Sequence, residues 1–395
     1  MSVAGFRQVL AVTCMSVVGL PKRVGPSLVI VISIAGVVTV LISVLAMVAG
    51  FVSVADRTGR PDRVIVVSRG ALTEADSRLL RDSLVPILDA PGVKKSTDGK
   101  PLAAAEALVP LRLTDPRTEL DTFATVRGTG SRAFTIRPEV HLMEGRMFRP
   151  GLHEMIVGRG LQRRLGLEVG ASVPLAQADW RIVGAFTSAG DSHESELVTD
   201  SETLLSSMQR NFFNDVTLML DSSERFDALK AALNNNPAIA VSAERETDYF
   251  KAAYRPMASM LRMIASVIGL IMALGAVFAT ANAMYSAVSA RLVEIATLRA
   301  LGFNGSSVVI SILLEAQLLA LVGAVMGAAI AWYFFNGNSV STTPSDSPAP
   351  VTYALSVSFP VIASGIVTAC LIGLLAGVFP AVRAARTSIA EAIRG

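Results

Sequence analysis

Cysteine is nearly absent: Cys14 and Cys370 are the two in 395 residues, one ahead of the first long apolar run and the other inside the last. That separation excludes a disulfide scaffold and a cysteine metal site. Histidine is as scarce, with only His141, His153 and His193. Asp191, His193, Glu194 and Glu196 are close in sequence, but their spacing matches no defined metal site, and a solvated loop is expected there. No Ser/His/Asp or Cys/His set falls where the sequence can bring its members together, so no nucleophilic centre is indicated. Walker motifs are missing too. GRGLQRRLG at residues 158–166 lacks the Gly-Lys-Ser/Thr ending that closes a phosphate loop. Nucleotide, if used, must be bound by another polypeptide. Charged residues make up 17%, with a net charge of +3, and basic runs stop at pairs such as Lys94-Lys95 and Arg163-Arg164. Nucleic-acid binding is not indicated; positive loops flanking a membrane account better for the excess.

What is plentiful is hydrophobic side chain, 52% of the chain, with a mean hydropathy of +0.53. Such a composition belongs to a membrane protein. Residues 1–26 contain a moderately apolar stretch with Arg7 and Gln8 near one end, which reads as an interfacial helix. Residues 27–54 carry no charge and are long enough to cross roughly 30 Å of hydrocarbon. A cleaved signal peptide competes, because Ser53-Val54-Ala55 resembles a cleavage site. The apolar run is about twice the usual signal core, however, and a further segment precedes it. Residues 246–288 read as a stalk continuing into a second span, 306–335 as a third and 356–379 as a fourth, with a short loop at 336–355 and a tail at 380–395.

Residues 55–245 have a different character, with scattered charge and short elements. Arg63–Ser68 reads as a strand, Thr73–Leu88 as a helix and Ala107–Leu113 as a strand. Asp215–Leu220, Ser222–Leu233 and Ala238–Ser242 repeat the pattern. Two β-α-β units therefore flank a mostly β insertion at about 114–212, in which Arg159–Leu165 is a short helix. The expected fold class is a membrane α-helical protein with four transmembrane helices and a large α+β extracytoplasmic domain between helices 1 and 2.

Lys22, Arg23, Arg291, Arg299, Arg383, Arg386 and Arg394 fall on one side of this arrangement, while residues 336–355 contain no Lys or Arg. The positive-inside rule then places both termini and residues 289–305 in the cytoplasm. Arg57, Arg60 and Arg63 oppose it, but a long translocated domain weakens the rule there.

Between the second and third spans lies SARLVEIATLRALGFN, residues 289–304, about four turns if wholly helical. Leu292, Ile295, Leu298 and Leu301 point to different faces, which suits a helix gripped by protein better than one lying on lipid. Arg291 and Glu294 are i,i+3 neighbours able to pair, and Gly302 is placed to stop the helix. A solvated connecting loop is the bland alternative. Glu315 falls about two turns into the third span, where a carboxylate invites a functional reading, with Gln317, Ser311 or a neighbouring helix as possible partners. Gly323 with Gly327, and Gly373 with Gly377, are GxxxG pairs that allow close helix approach, within the chain or at a dimer seam.

The order of one span, a large domain and three further spans carries EIATLRALG in the connection and FPAVRAARTSIAEAIR at the end, with MEGRMF, EMIVG, LQRRLG, VG and WRIVGAF between. In this combination nearly the whole chain resembles the MacB/FtsX-type permeases of ABC transporters. Ile389 stands where that tail commonly has proline, and no ATPase is fused to the chain. The resemblance implies a permease dimer, as a homodimer or heterodimer, in the inner membrane on two cytosolic ABC ATPase subunits. ATP and Mg would be held by those partners, and no cofactor by this chain. It implies ATPase coupling through Arg291, Glu294, Ile295, Leu298, Arg299, Leu301 and Gly302, and a cytoplasmic tail motif at Pro380, Arg383, Arg386, Glu391 and Arg394. The expected function is to pass ATP-driven movement to the periplasmic domain, for efflux of a hydrophobic compound or peptide with a periplasmic adaptor. Lipoprotein or lipid extraction and signalling to a cell-wall enzyme compete within the family. A membrane-anchored receptor or scaffold without ATPase is the reading from another class.

Overall fold

The computed structural model describes residues 13, 24–115, 119, 121–342 and 351–387. The interfacial helix expected before residue 24, and Glu391 and Arg394 of the tail, lie outside the described residues. The chain divides into two compact units: one of helices, comprising residues up to Ala49, Leu261–Asn338 and Leu355 onward, and one built on a sheet, comprising Gly50–Met260 and Ser339–Ala354.

In chain order the helices are α1 (Val24–Arg57), α2 (Leu84–Leu88), α3 (Ala133–Ile136), α4 (Arg159–Leu165), α5 (Ser201–Ser207), α6 (Phe226–Asn234), α7 (Glu246–Ser289), α8 (Leu292–Ala300), α9 (Gly305–Phe335) and α10 (Phe359–Arg386). Among the described residues, α1, α7, α9 and α10 are the four long and apolar enough to cross a membrane. Ile30, Ile34, Val38, Ile42 and Ala46 recur every four residues on α1 and are buried against Ala276 and Met284 of α7, Ala316, Ala320 and Ala324 of α9, and Val361 of α10. The small residues of α9 let its neighbours come close, while Leu270, Ile271 and Phe278 of α7 and Leu371 and Phe379 of α10 remain exposed. A surface of that kind is stable in hydrocarbon, not in water.

The sheet unit contains β1 (Arg63–Ser68), β2 (Leu79–Leu80), β3 (Ala103–Thr114), β4 (Asp121–Thr129), β5 (His141–Gly145), β6 (Glu154–Gly158), β7 (Ser172–Leu175), β8 (Ala178–Thr187), β9 (Glu196–Asp200), β10 (Phe212–Phe213), β11 (Asp215–Met219), β12 (Val241–Arg245), β13 (Ser339–Thr342) and β14 (Val351–Ala354). Ten of these form one sheet in the order β12-β1-β11-β3-β4-β9-β6-β8-β5, with β7 beside β8. The first four strands are mutually antiparallel neighbours. Their order is that of two interleaved β-α-β units, the ferredoxin-like arrangement. The insertion is not a detached lobe but a continuation of this sheet. Ala103–Glu106 pairs with β11, whereas Ala107–Thr114 of the same strand pairs with β4. The core holds Val64, Val66, Val109, Val126, Met155, Val157, Trp180, Ile182, Val216 and Leu218.

Several sequence expectations need correction. Thr73–Leu88 is not one helix. Thr73 and Asp76 close a turn (Thr73 Oγ1 donates to Asp76 Oδ2 at 2.8 Å), and Leu79–Leu80 pairs with Phe212–Phe213. Only Leu84–Leu88 is α-helical, because the Pro86 ring would strike the carbonyl four residues back in a longer helix. β3 begins at Ala103, four residues earlier than expected; alanine has low strand propensity, and pairing with β11 decides the matter. The last strand is 241–245 rather than 238–242, since β1 pairs Ser68 with Val241 and Val64 with Arg245. α1 extends beyond 27–54 at both ends, with Ser53–Ala55 inside it. Residues 336–355 hold a two-stranded hairpin, β13 with β14. α10 begins at Phe359 and runs through Pro380 to Arg386, so the tail motif starts as helix. Proline inside a spanning helix is tolerated where packed neighbours support the freed carbonyl.

Candidate coupling site

α7 is a single helix of 44 residues, from the first residue after β12 to Ser289, with Pro256 inside it. Two residues, Ala290 and Arg291, separate it from α8. This second helix has nine residues, about half the expected length. Its end follows local chemistry. Gly302 has φ +95°, its N–H donates to the Arg299 carbonyl at 3.1 Å, and the Phe303 N–H donates to the Leu298 carbonyl at 3.2 Å. That paired closure is the Schellman motif, which needs a residue free to adopt left-handed backbone.

The two sides of α8 differ sharply. Ile295 and Ala296 are buried, Leu292, Leu298 and Arg299 half-buried, and Val293, Glu294, Thr297 and Ala300 exposed. Val293 is 58% and Leu301 74% exposed, so an apolar pair with Glu294 and Thr297 forms the open face. Ile295 belongs to the core of the helical unit, not to that face. Arg291 is also turned inward. It is 5% exposed and forms an ion pair with Glu315 of α9, itself 3% exposed. The buried carboxylate it meets belongs to another helix. Arg299 Nη1 donates to the Thr387 carbonyl at 2.6 Å, where the C-terminal end of α10 favours a cation. Arg383 lies over the Tyr285 ring at 5.8 Å, Arg386 is exposed, and Pro380 is buried.

The GxxxG pairs pack within the chain. A methyl group on Gly323 would lie 2.9 Å from the Val31 carbonyl oxygen, and one on Gly327 2.5 Å from that of Ala35, so α1 and α9 touch backbone to backbone. Thr39 Oγ1 donates to the Gly327 carbonyl at 3.1 Å across this seam. Gly373 and Gly377 face Ala320 and Ala316, and Gln317 Nε2 donates to the Cys370 carbonyl at 2.8 Å.

Sequence spacing gave no sign of a charged network that lies inside the sheet unit. Arg127 holds Glu196 through two hydrogen bonds of 2.7 and 2.9 Å, Glu106 at 2.7 Å and Glu74 at 3.2 Å. Arg137 holds Glu106 at 2.5 Å and Thr217 at 3.1 Å. Arg63 pairs with Glu246, the first residue of α7, and with Glu139 at 2.6 Å. Its members come from residues 63 to 246, and the one sequence signal is a charge set among apolar or small neighbours in a strand, as at Arg63, Glu106 and Arg127. Burial pushes the Glu106 carboxyl up, but the Arg137 and Arg127 guanidiniums more than reverse this and hold it far below the usual carboxylate range. Asp215 is displaced the other way: burial first, then the nearby Glu74 and Glu106 carboxylates, push it well above that range. The Asp191–Glu196 segment, expected to be a solvated loop, is largely buried. Burial alone would lower the His193 imidazole, but the Asp191 carboxylate, 3.1 Å from Nδ1, raises it overall. Among the described residues no group of three or more such side chains could hold a metal ion.

A carboxyl raised on folding destabilises the native state as pH climbs from its unfolded value towards its folded one. Asp215→Asn should therefore match the wild type below about pH 4 and be more stable above it, the gap widening by at most about 1.4 kcal/mol per pH unit. Thermal unfolding of the full-length protein across pH 4–8 checks this; parallel curves for the two proteins would refute it.

Among the described residues, four helices long and apolar enough to span, with a large mixed α/β domain inserted after the first, describe a multi-pass membrane protein. The sequence matches the MacB-like periplasmic core domain over residues 27–236 and the FtsX-like permease C-terminal domain over residues 266–389. The chain belongs to the MacB/FtsX-type ABC transporter permeases and is an inner-membrane protein. It is 23% identical over 415 residues, 92% of each chain, to the lipoprotein-releasing system transmembrane protein LolC of Xylella fastidiosa (strain 9a5c). Among solved structures it is similar to the extracellular domain of the noncanonic ABC-type transporter YknZ from Gram-positive bacteria (16% identity, TM-score 0.35, 46% of this chain and 99% of that one). It is also similar to the periplasmic region of MacB from Actinobacillus actinomycetemcomitans (11% identity, TM-score 0.37, 50% and 94%).

Proposed function

We propose that this permease works as one of two copies on a pair of cytosolic ABC ATPase subunits, which hold ATP and Mg, and that α8 is the element they move. The observation that carries this reading is α7: one helix joins the strand β12 to the turn that holds α8. α8 offers the ATPase a small face of Val293, Glu294, Thr297 and Leu301, while its other side is packed on the membrane helices. The excess of Lys and Arg at 22–23, 291–299 and 383–394 over residues 336–355 supports a cytoplasmic position for that face and both termini, and a periplasmic one for the sheet unit. Nucleotide closure must favour one conformation by several kcal/mol to drive such a movement efficiently.

The cargo is an amphiphile acted on at the periplasmic side, either a hydrophobic compound or peptide passed to an adaptor or a lipid-modified protein. Full-length similarity to a lipoprotein-releasing protein favours the second. Purification of the intact complex separates them: a bound lipid or lipoprotein supports extraction, and a coiled-coil adaptor supports export.

Combining Val293→Asp with Leu301→Asp should lower stimulation of the ATPase at least tenfold, with the chain still inserted and of normal thermal stability. ATP hydrolysis by the purified complex in nanodiscs is the measurement. Stimulation that survives both substitutions, or a chain that purifies with no ATP-binding subunit, would return the reading to a receptor or scaffold.

A further inference from the structure

Two residues are a weak joint between two helices. Ala290 and Arg291 donate to the carbonyls of Ser286 and Val288, and the Arg291 carbonyl already accepts from Ile295, but the Arg291 backbone is not helical (φ −124°, ψ 20°). No side chain caps the start of α8. A push on its open face would be lost as bending at this break unless something else held the helix. Both ends of α8 are held by arginines that leave the open face. Arg299 reaches the end of α10, and Arg291 reaches Glu315 inside α9.

We infer that Arg291 and Glu315 are a positioning pair that makes α8 and α9 move as one body, so that displacement of α8 reaches the spanning helices instead of folding the joint. An apolar contact at this place would resist separation but not sliding. A guanidinium on a carboxylate is directional, and removing either partner takes away a buried charge–charge contact that is costly to break. Neither residue touches the ATPase: both are buried, while the open face is made by other side chains. The inference rests on α8 being the element an ATPase moves, and its test separates the two ideas.

The full-length chain, with Cys14 and Cys370 changed to serine, carries spin labels at Ala300→Cys on α8 and Leu318→Cys on α9 in nanodiscs. Electron–electron double resonance should give a narrow distance distribution that broadens at least twofold in Arg291→Gln and in Glu315→Gln. It should narrow again in the exchange Arg291→Glu with Glu315→Arg. In the complex with its ATPase, stimulation should fall at least tenfold in each single variant, while cross-linking from α8 to the ATPase persists. Arg291→Lys, which keeps the charge without the fork, should fold and recover part of the stimulation. Unbroadened distances in the single variants, or full stimulation in Glu315→Gln, would overturn the positioning role. Absence of any cross-link from the unsubstituted α8, with narrow distances intact, would sink the ATPase reading and leave the pair standing.

Discussion

Glu106→Ala is expected to unfold the sheet unit or leave it on the edge of unfolding. Glu106 is fully buried and accepts from Arg127 at 2.7 Å, Arg137 at 2.5 Å and Thr129 at 2.8 Å. Truncation leaves two guanidiniums in the interior short of a counter-charge, a loss of about 3–5 kcal/mol for a broken buried pair, against a total stability of roughly 5–15 kcal/mol for a domain. Glu106→Gln keeps an acceptor of similar shape and should lose less. The sign of the pH effect is opposite to that at Asp215. Glu106 is held below its unfolded value, so its contribution is complete above about pH 4.5 and fades as pH falls through the folded value. Hydrogen exchange on the full-length protein would report the change in the strands β3, β4 and β11. Protection equal to the wild type in Glu106→Ala would show that the network adds nothing to stability.

Gly327→Val should separate α1 from α9 and lower the amount of protein in the membrane severalfold. The added Cβ alone would sit 2.5 Å from the Ala35 carbonyl oxygen and 2.9 Å from the Val38 Cβ. Overpacking of this kind costs about 1–3 kcal/mol or more, and the Thr39 hydrogen bond to the Gly327 carbonyl would be lost with it. Gly275, where an added methyl group would meet no atom within 4 Å, provides the comparison: Gly275→Ala should be neutral or slightly stabilising. A seam between two copies would behave differently, with the monomer keeping its melting temperature and only the association changing. Thermal unfolding and sizing of the same samples distinguish these outcomes.

The sequence by itself determined the elements whose causes are local. An uncharged run of 28 residues at 27–54 has no stable place but hydrocarbon. Gly302 ends α8 because the closing turn needs left-handed backbone, and β1 and α4 were legible to the residue from a short apolar run and a following glycine. What tertiary structure decided is which distant groups meet. The spacing of Arg291 and Glu294 allowed a pair worth a few tenths of a kcal/mol on a solvated helix. Burial against α9 offered Arg291 a carboxylate 24 residues away where water does not compete. The GxxxG glycines declared that some helix would come close, but only packing showed that α1 meets Gly323 and Gly327 and that α9 meets Gly373 and Gly377. Glu106, Arg127 and Arg137 looked like ordinary strand and loop charges until the order β11-β3-β4 brought them together. Local conformational preference is written along the chain, whereas the energy of a buried charge depends on partners that folding alone supplies.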